Sequence, residues 1–256
     1  ADPYAKTGTP ETISLESVNP IWEAGKRLWQ RDASDRQIYT YTDESGFIEF
    51  SPSNVAVLKP YLDVTDNATC ASLGDTVDNR ALNVINFIRG IPDNSTDYVG
   101  SPTLRKRTLT IDGETNVWKL GDIVFSTPVS IAKPVENYGL IYDDVSYKNY
   151  LNTYKNRETI VYADANDGML HAFSSGLFSD NGTTKQFTPH STEALGDELW
   201  AYVPQCHLPH LKMLAQTSYA GSNHLNFVDL KPRVFDAKVF HASSVHPDGW
   251  GTILIC

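Results

Sequence analysis

The stretch Ile160-Val161-Tyr162-Ala163-Asp164-Ala165-Asn166-Asp167-Gly168-Met169-Leu170-His171-Ala172-Phe173 constrains this chain more than any other. Two β-rich runs flank Asn166-Asp167-Gly168, and a glycine in such a turn takes positive φ without steric cost. The pattern predicts a tight hairpin whose Tyr162, Leu170, Ala172 and Phe173 pack against neighbouring elements. Further short β-rich runs follow Trp118, at 122–132, 159–165, 169–174, 198–203, 227–237 and 251–255, with Gly, Pro, Asn and Asp between them. Many short strands punctuated in this way predict a sandwich, barrel or propeller. The wide gaps at 135–157 and 174–196 read as insertions at loop tips, where added length costs little.

The part before Trp118 has a different texture. Its first ten residues, rich in Pro, Thr and Gly, read as loop. Apolar residues at Ile21, Trp22, Ala24, Leu28 and Trp29 predict a helix over 21–30, with Asn19-Pro20 as cap and first turn. A hairpin is expected over 36–50, turning at Asp43-Glu44-Ser45-Gly46. A second helix is expected over 78–88, stopped by Gly90-Ile91-Pro92. The chain therefore divides into a mixed lead segment, 1–116, and a β-rich segment, 117–256.

Composition removes several function classes. With 21 Lys and Arg against 31 Asp and Glu, the formal net charge is −10. Such acidity argues against a nucleic-acid partner, because phosphate binding needs clustered cations. Arg105-Lys106-Arg107 is the one dense cationic stretch and reads as a solvated turn. No run approaches the roughly 18 apolar residues of a membrane helix. Ala1-Asp2-Pro3-Tyr4 shows no basic region followed by an apolar run, so the sequence as it stands carries no signal peptide. Cys70, Cys206 and Cys256 include no C-x-x-C pair, which leaves zinc-ribbon and thioredoxin-like chemistry unsupported. An odd cysteine count and a final run, 251–256, that reads as a buried strand lead us to expect a longer chain.

Residues of types that can carry chemistry have structural readings that outweigh the functional ones. His207 and His210 lie three apart, but Pro209 between them opposes the helix that would bring both to one metal. No G-x-S-x-G elbow and no G-x-x-x-x-G-K-[ST] phosphate cradle is present. Asp143 and Asp144 read as solvated loop carboxylates, and Asp164 and Asp167 as caps of backbone N–H groups beside a turn. His171 reads as a structural strand residue. No catalytic, cofactor-binding or metal-binding residue is expected. Tyr138, Tyr142, Tyr147, Tyr150 and Tyr154 form either an adhesive surface or, the favoured reading, an insertion that packs its rings onto the β-rich part.

The hairpin, with Asn166, Asp167, Gly168, Leu170 and Phe173, is followed by Gly196-Asp197-Glu198-Leu199-Trp200. Together they resemble the repeat of quinoprotein-type propellers, in which a D-G-x-L-x-A-F/L hairpin precedes G-x-x-L-W. Leu199 and Trp200 would lie on the outer strand. Trp118-Lys119-Leu120-Gly121-Asp122-Ile123-Val124-Phe125-Ser126-Thr127-Pro128-Val129 resembles the opening strand of the propeller in the PilC/PilY family of pilus-associated proteins, with Gly121, Asp122, Ser126, Thr127 and Pro128 marking the start of the blade. Trp22-Glu23-Ala24-Gly25-Lys26-Arg27-Leu28, Arg36-Gln37-Ile38-Tyr39-Thr40 and Val84-Ile85-Asn86-Phe87-Ile88-Arg89-Gly90 are similar to that family too. So are Trp200-Ala201-Tyr202-Val203-Pro204, Leu208-Pro209-His210-Leu211 and Asn226-Phe227-Val228-Asp229, all in the family's order.

The resemblance implies a mainly β fold, an incomplete, modified quinoprotein-like β-propeller preceded by a mixed α/β lead segment. It implies a non-catalytic extracellular protein at the type IV pilus tip, reached through the periplasm and acting in pilus assembly, retraction control and adhesion. Minor pilins of the tip complex and a host or abiotic surface are the implied partners. The family's calcium loop, D-x-[DN]-x-[DN]-G, is not matched: Ala163 and Ala165 precede Gly168, Tyr41, Asp43 and Ser45 precede Gly46, and Leu177, Ser179 and Asn181 precede Gly182. The loop is therefore either absent or beyond residue 256, and the resemblance leaves calcium only to that further part. Leu230-Lys231-Pro232 stands where the family tends to have Gly-x-Pro, and poorer packing is expected there. Two alternatives remain, a periplasmic quinoprotein-like enzyme and a scaffold of another extracellular filament. Against the enzyme, no two cysteines are adjacent, and the residues after Trp118 suffice for two to three blades against the four to eight of closed rings.

Overall fold

A computed structural model of the chain describes residues 20–256 apart from positions 66, 67, 191, 220 and 229. The expectations for the first ten residues, for Asn19 as a cap and for Asp229 lie outside the described residues. The lead half forms α1 (Ala24–Gln30), the hairpin β1 (Ile38–Thr42) and β2 (Gly46–Glu49), the single turn α2 (Val55–Leu58), α3 (Val77–Arg89), and the hairpin β3 (Thr108–Ile111) and β4 (Glu114–Val117). Both ends of α3 are specified locally. The Thr76 side chain accepts the Asn79 N–H at 3.1 Å, and Gly90 closes the helix in the left-handed region at φ 93°. The first helix is shorter than its apolar spacing suggests. It begins at Ala24 behind an extended Glu23 that provides no side-chain cap, and Ile21 is left 66% exposed.

The second half continues with β5 (Val129–Ile131), α4 (Tyr138–Ile141), α5 (Val145–Tyr154), β6 (Thr159–Ala165), β7 (Met169–Asp180), β8 (Lys185–Thr188), β9 (Glu198–Val203), α6 (Leu211–Ala215), β10 (Arg233–Lys238) and β11 (Trp250–Ile255). Two expected strands are much shorter than their sequence pattern. The run 122–132 supplies only β5, and 227–237 becomes a strand only after Pro232. The insertion 135–157 is helical rather than loop, and Asp144, read as solvated, caps α5 by accepting the Tyr147 N–H at 3.1 Å. Four of its five tyrosine rings pack inward, with Tyr138, Tyr147, Tyr150 and Tyr154 gathered around Trp250 of β11, whereas Tyr142 is 72% exposed. The gap 174–196 holds the outer half of β7, paired with β8. Leu230, beside Pro232, is 68% exposed. No helix among the described residues is long and apolar enough to cross a membrane.

The fold is mainly β, built on a mixed sheet in the order β2-β1-β9-β7-β6-β5. Within it β5, β6, β7 and β9 pair antiparallel in succession, the meander of a four-stranded propeller blade. The hairpin β10–β11 lies against this blade through Val234 and Leu254. The described residues thus hold one four-stranded meander and one further hairpin rather than two to three blades, because helices and the β7–β8 extension consume the intervening length. No ring of blades closes among them.

The lead half is joined to this sheet rather than set beside it. β1 pairs parallel to β9, placing Ile38 opposite Ala201 and covering what would otherwise be an open strand edge. The division at 116/117 falls within β4. One large core then crosses it: Ala81, Val84, Ile85 and Ile88 of α3 pack with Ile38, Met169, Ala201 and Val203 of the sheet. The period-two alternation of β7 sorts its side chains. Met169 enters this helix-covered core, whereas Leu170 and Ala172 join Tyr162 on the opposite face, against Val234 and Leu254.

Candidate functional site

The turn that closes the β6–β7 hairpin is also the point where four separate segments meet. Gly168, at φ 89°, ends the turn, and the two residues before it are buried despite their polarity. The Asn166 N–H donates to the Asp122 carbonyl at 3.0 Å, and its side-chain amide donates to the Asp122 carboxylate at 2.8 Å. Its side-chain oxygen accepts the Phe227 N–H at 3.0 Å. Asp167 accepts the Gly121 N–H at 2.7 Å and the Met169 N–H at 3.2 Å. Both are the backbone caps expected of a turn carboxylate. Ser126 adds a further tie by accepting the Asp164 N–H at 3.2 Å. These bonds explain why 121–126 is not a strand: its polar groups are held by the hairpin turn rather than by a ladder.

The approach is close enough to require glycine at position 121. A Cβ added there would lie 2.3 Å from the Asp167 backbone nitrogen. Gly121→Ala is therefore expected to destabilise the chain by about 2 kcal/mol, in the range of overpacking substitutions. Urea unfolding measures it, and an unchanged midpoint would contradict the contact.

Inward of the turn lies a chain of charge. His171, two positions beyond Met169, faces the same helix-covered side and is fully buried. Its Nδ1 is 2.8 Å from a Glu198 oxygen, and its Nε2 is 3.1 Å from both Asp167 oxygens. Arg36 grips Glu198 with two donors at 2.8 and 2.9 Å. Its remaining Nη1 donates to the Arg89 carbonyl at 3.0 Å and the Ile88 carbonyl at 3.3 Å, at the negative end of α3. Arg89 turns back to donate to the carbonyls of Phe50, Ala33 and Arg36. The strand pairing explains the meeting: β9 lies beside β7, with Glu198 opposite Phe173, and Arg36 lies two residues before β1 on the other side of β9.

Electrostatics settle the protonation states. Burial alone lowers the pKa of His171, but the charges and hydrogen bonds of Asp167 and Glu198 outweigh it and raise it to about 9. Burial likewise pushes Glu198 upward, and Arg36 and His171 more than reverse it, holding the carboxyl well below its ordinary value. Arg36 and His171 are then positive and Glu198 negative, and the Asp167 carboxyl is the second acidic partner of the ring. A buried group of this kind is tolerable because its charges balance and its donors are satisfied. Arg36, His171 and Glu198 are each buried and both ring nitrogens of His171 are occupied, so the set borders solvent only through Asp167 at the turn.

The sequence-marked residues fall into several groups. Asn166, Asp167, Gly168, Gly121, Asp122 and Ser126 are brought together at the turn. Leu170, Leu199 and Trp200 pack on the face toward β10–β11, where Trp200 meets Tyr162 at 5.8 Å between ring centroids. Phe173 does not join them; alternation sends it to the other face, stacked on His171 at 5.6 Å. Thr127 and Pro128 are exposed and precede β5 without entering the turn. Among the described residues no group of three or more His, Cys, Asp or Glu could hold a metal ion. Cys70 is buried, Cys206 and Cys256 are exposed, and no disulfide joins them. Sequence reasoning missed Arg36 and Glu198, and gave His171 no partners.

The comparisons with known proteins converge. The family model described as PilY1 beta-propeller domain matches residues 120–254. The type IV pilus biogenesis factor PilY1 of Pseudomonas aeruginosa PAO1 is 30% identical over 145 residues, covering 53% of this chain and 10% of its own length. PilY1 of strain UCBPP-PA14 is 26% identical over 251 residues, covering 91% of this chain and 17% of its own. A PilY1 homolog of Xylella fastidiosa Temecula1 is 21% identical over 246 residues, covering 93% of this chain and 15% of its own. The chain thus spans only 10 to 17% of the length of these relatives. No solved structure matches it.

Proposed function

The chain belongs to the PilY1 β-propeller family, and from that premise we propose that it is part of a type IV pilus biogenesis factor, extracellular at the pilus tip. In this reading the propeller docks on minor pilins, supports pilus assembly and retraction control, and presents a surface for adhesion. The observation that carries it is the family match from 120 to 254, which spans the four-stranded meander and the hairpin after it.

A non-catalytic role fits the cluster that, among the described residues, resembles acid–base machinery. Asp167, His171 and Glu198 have the composition of a catalytic relay. A general base, however, must come within hydrogen-bond reach of a substrate proton. His171 spends both nitrogens on carboxylates inside the core, and Arg36 saturates Glu198. The cluster's work is to fasten the lead segment to the blade.

Immunogold electron microscopy of sheared surface filaments, with antibody against this chain, tests the proposal. Label concentrated at the ends of type IV pili is the expected result. Label confined to the periplasm, or lying on filaments of another kind, would overturn it.

A further inference from the structure

Beside the turn, on the side of the lead segment, lies a cleft of about 340 Å³ with an unusual balance of charge. Arg105, Arg107 and Lys119 line it, and none of the three forms an ion pair among the described residues. The stretch Arg105-Lys106-Arg107 is therefore not the solvated turn its composition suggests; its two arginines turn into the cleft wall.

Each cation is held in place by something other than an acid. Arg105 donates Nε to the Leu214 carbonyl at 2.9 Å and lies over the Tyr219 ring at 5.0 Å. Arg107 lies over the Phe87 ring at 3.8 Å, donates to the Phe87 carbonyl, and keeps a buried Nε with no hydrogen-bond partner. Lys119 is 4% exposed, and its ammonium donates to the Trp29 and Val117 carbonyls, both at 3.2 Å. Carbonyl and ring contacts fix position without neutralising charge.

The acids that line the same cleft are engaged elsewhere. Asp167 is bonded to His171 and the Gly121 N–H, and Asp122 to Asn166 and His224. The cations feel their lack of partners. Burial, then the neighbouring guanidiniums of Arg36 and Arg107, lowers the Lys119 pKa to about 8. Burial, then Arg105, lowers that of Arg107 to about 10. Ile88, Leu109, Trp118 and Leu120 give the wall an apolar side, and Lys106 and Asn166 add polar groups to its lining.

We propose that this cleft is a binding site for a carboxylate carried on a small apolar body, the size of one amino-acid residue. The carboxylate would lie between Arg105, Arg107 and Lys119, and the body against Trp118 and Leu109. Guanidinium groups held rigid by stacking lose little entropy on binding a carboxylate, which favours arginine here over free surface lysines. The proposal is independent of the pilus assignment, since it rests only on this cleft.

The test is NMR titration of the full chain with N-acetyl-phenylalanine, its uncharged amide and inorganic phosphate, following the Trp118 indole and Gly121 amide. Saturable shifts with the carboxylate are expected, and binding at least tenfold weaker with the amide and with phosphate. Arg105→Gln, half-exposed and outside the core, is expected to weaken the carboxylate at least tenfold while leaving the melting temperature near that of the parent. Lys119→Met should do the same if it folds, and Arg105→Gln carries the test if it does not. Absence of saturable shifts overturns the proposal. So does amide binding equal to the acid, phosphate binding as tight as the carboxylate, or undiminished binding in a folded Arg105→Gln chain.

Discussion

Glu198→Gln is expected to cost about 3–5 kcal/mol of folding stability, the range found when one partner of a buried ion pair is removed. Its carboxylate receives two bonds from Arg36 and one from His171, and all three side chains are buried. The amide keeps the shape but removes the negative charge between two cations and puts an NH₂ group where an acceptor stood. Asp167 then remains the sole counter-charge of the set. Because a domain's whole stability is about 5–15 kcal/mol, a loss of this size is visible in any unfolding assay. Urea denaturation at pH 7 measures it. The double variant Arg36→Met/Glu198→Met should lose less than the sum of its two single changes, since it removes both sides of the pair together. A Glu198→Gln chain within 1 kcal/mol of the parent would show that the network contributes little.

How much of this was legible beforehand depends on where each signal lies in the chain. The β6–β7 hairpin and α3 were legible because their determinants are local: Asn166-Asp167-Gly168 for the turn, and Thr76 and Gly90 at the helix ends. The expected strand over 122–132 misled in the part before β5, because Ile123, Val124 and Phe125 imitate a buried run, yet they are 37%, 57% and 64% exposed. What decides their conformation is the hydrogen bonding of Gly121, Asp122 and Ser126 to a turn about 40 residues later in sequence. The parallel pairing of β1 with β9 left no trace, since it joins Ile38 to Ala201 and no periodicity records a partner so distant. The charge network was hidden for the same reason. Arg36 and Glu198 look like ordinary surface charges until that pairing buries them together. At the cleft, composition described Arg105, Lys106 and Arg107 as one solvated patch, whereas only the tertiary neighbours Phe87, Leu214 and Tyr219 reveal which two are held.

Raising the pH from 6.5 to 8 is expected to remove about 1–2 kcal/mol of stability through His171, out of about 3 kcal/mol that this ring contributes in full. Its pKa is raised from 6.5 to about 9 in the folded chain. The folded state therefore holds a proton that the unfolded state has released between those values. The contribution is fully present below 6.5 and lost as pH rises through about 9. Glu198 acts at the other end: its depressed pKa gives stability that is present above 4.5 and declines as acid protonates the carboxyl. Lys119 has the opposite sign to His171. With its pKa lowered from 10.5 to about 8, it favours the unfolded state below that value and ceases to do so as pH climbs toward 10.5. The Lys119 trend begins near pH 7 and opposes the histidine fully only above 8, so below 8 the histidine dominates the profile. Chemical denaturation across that interval should show falling stability, and NMR of the ring should show His171 still protonated at pH 8. A flat stability profile together with a ring that deprotonates near 6.5 would mean that Asp167 and Glu198 do not hold the imidazolium, and that strand pairing and apolar packing, rather than this charge network, fasten the lead segment to the blade.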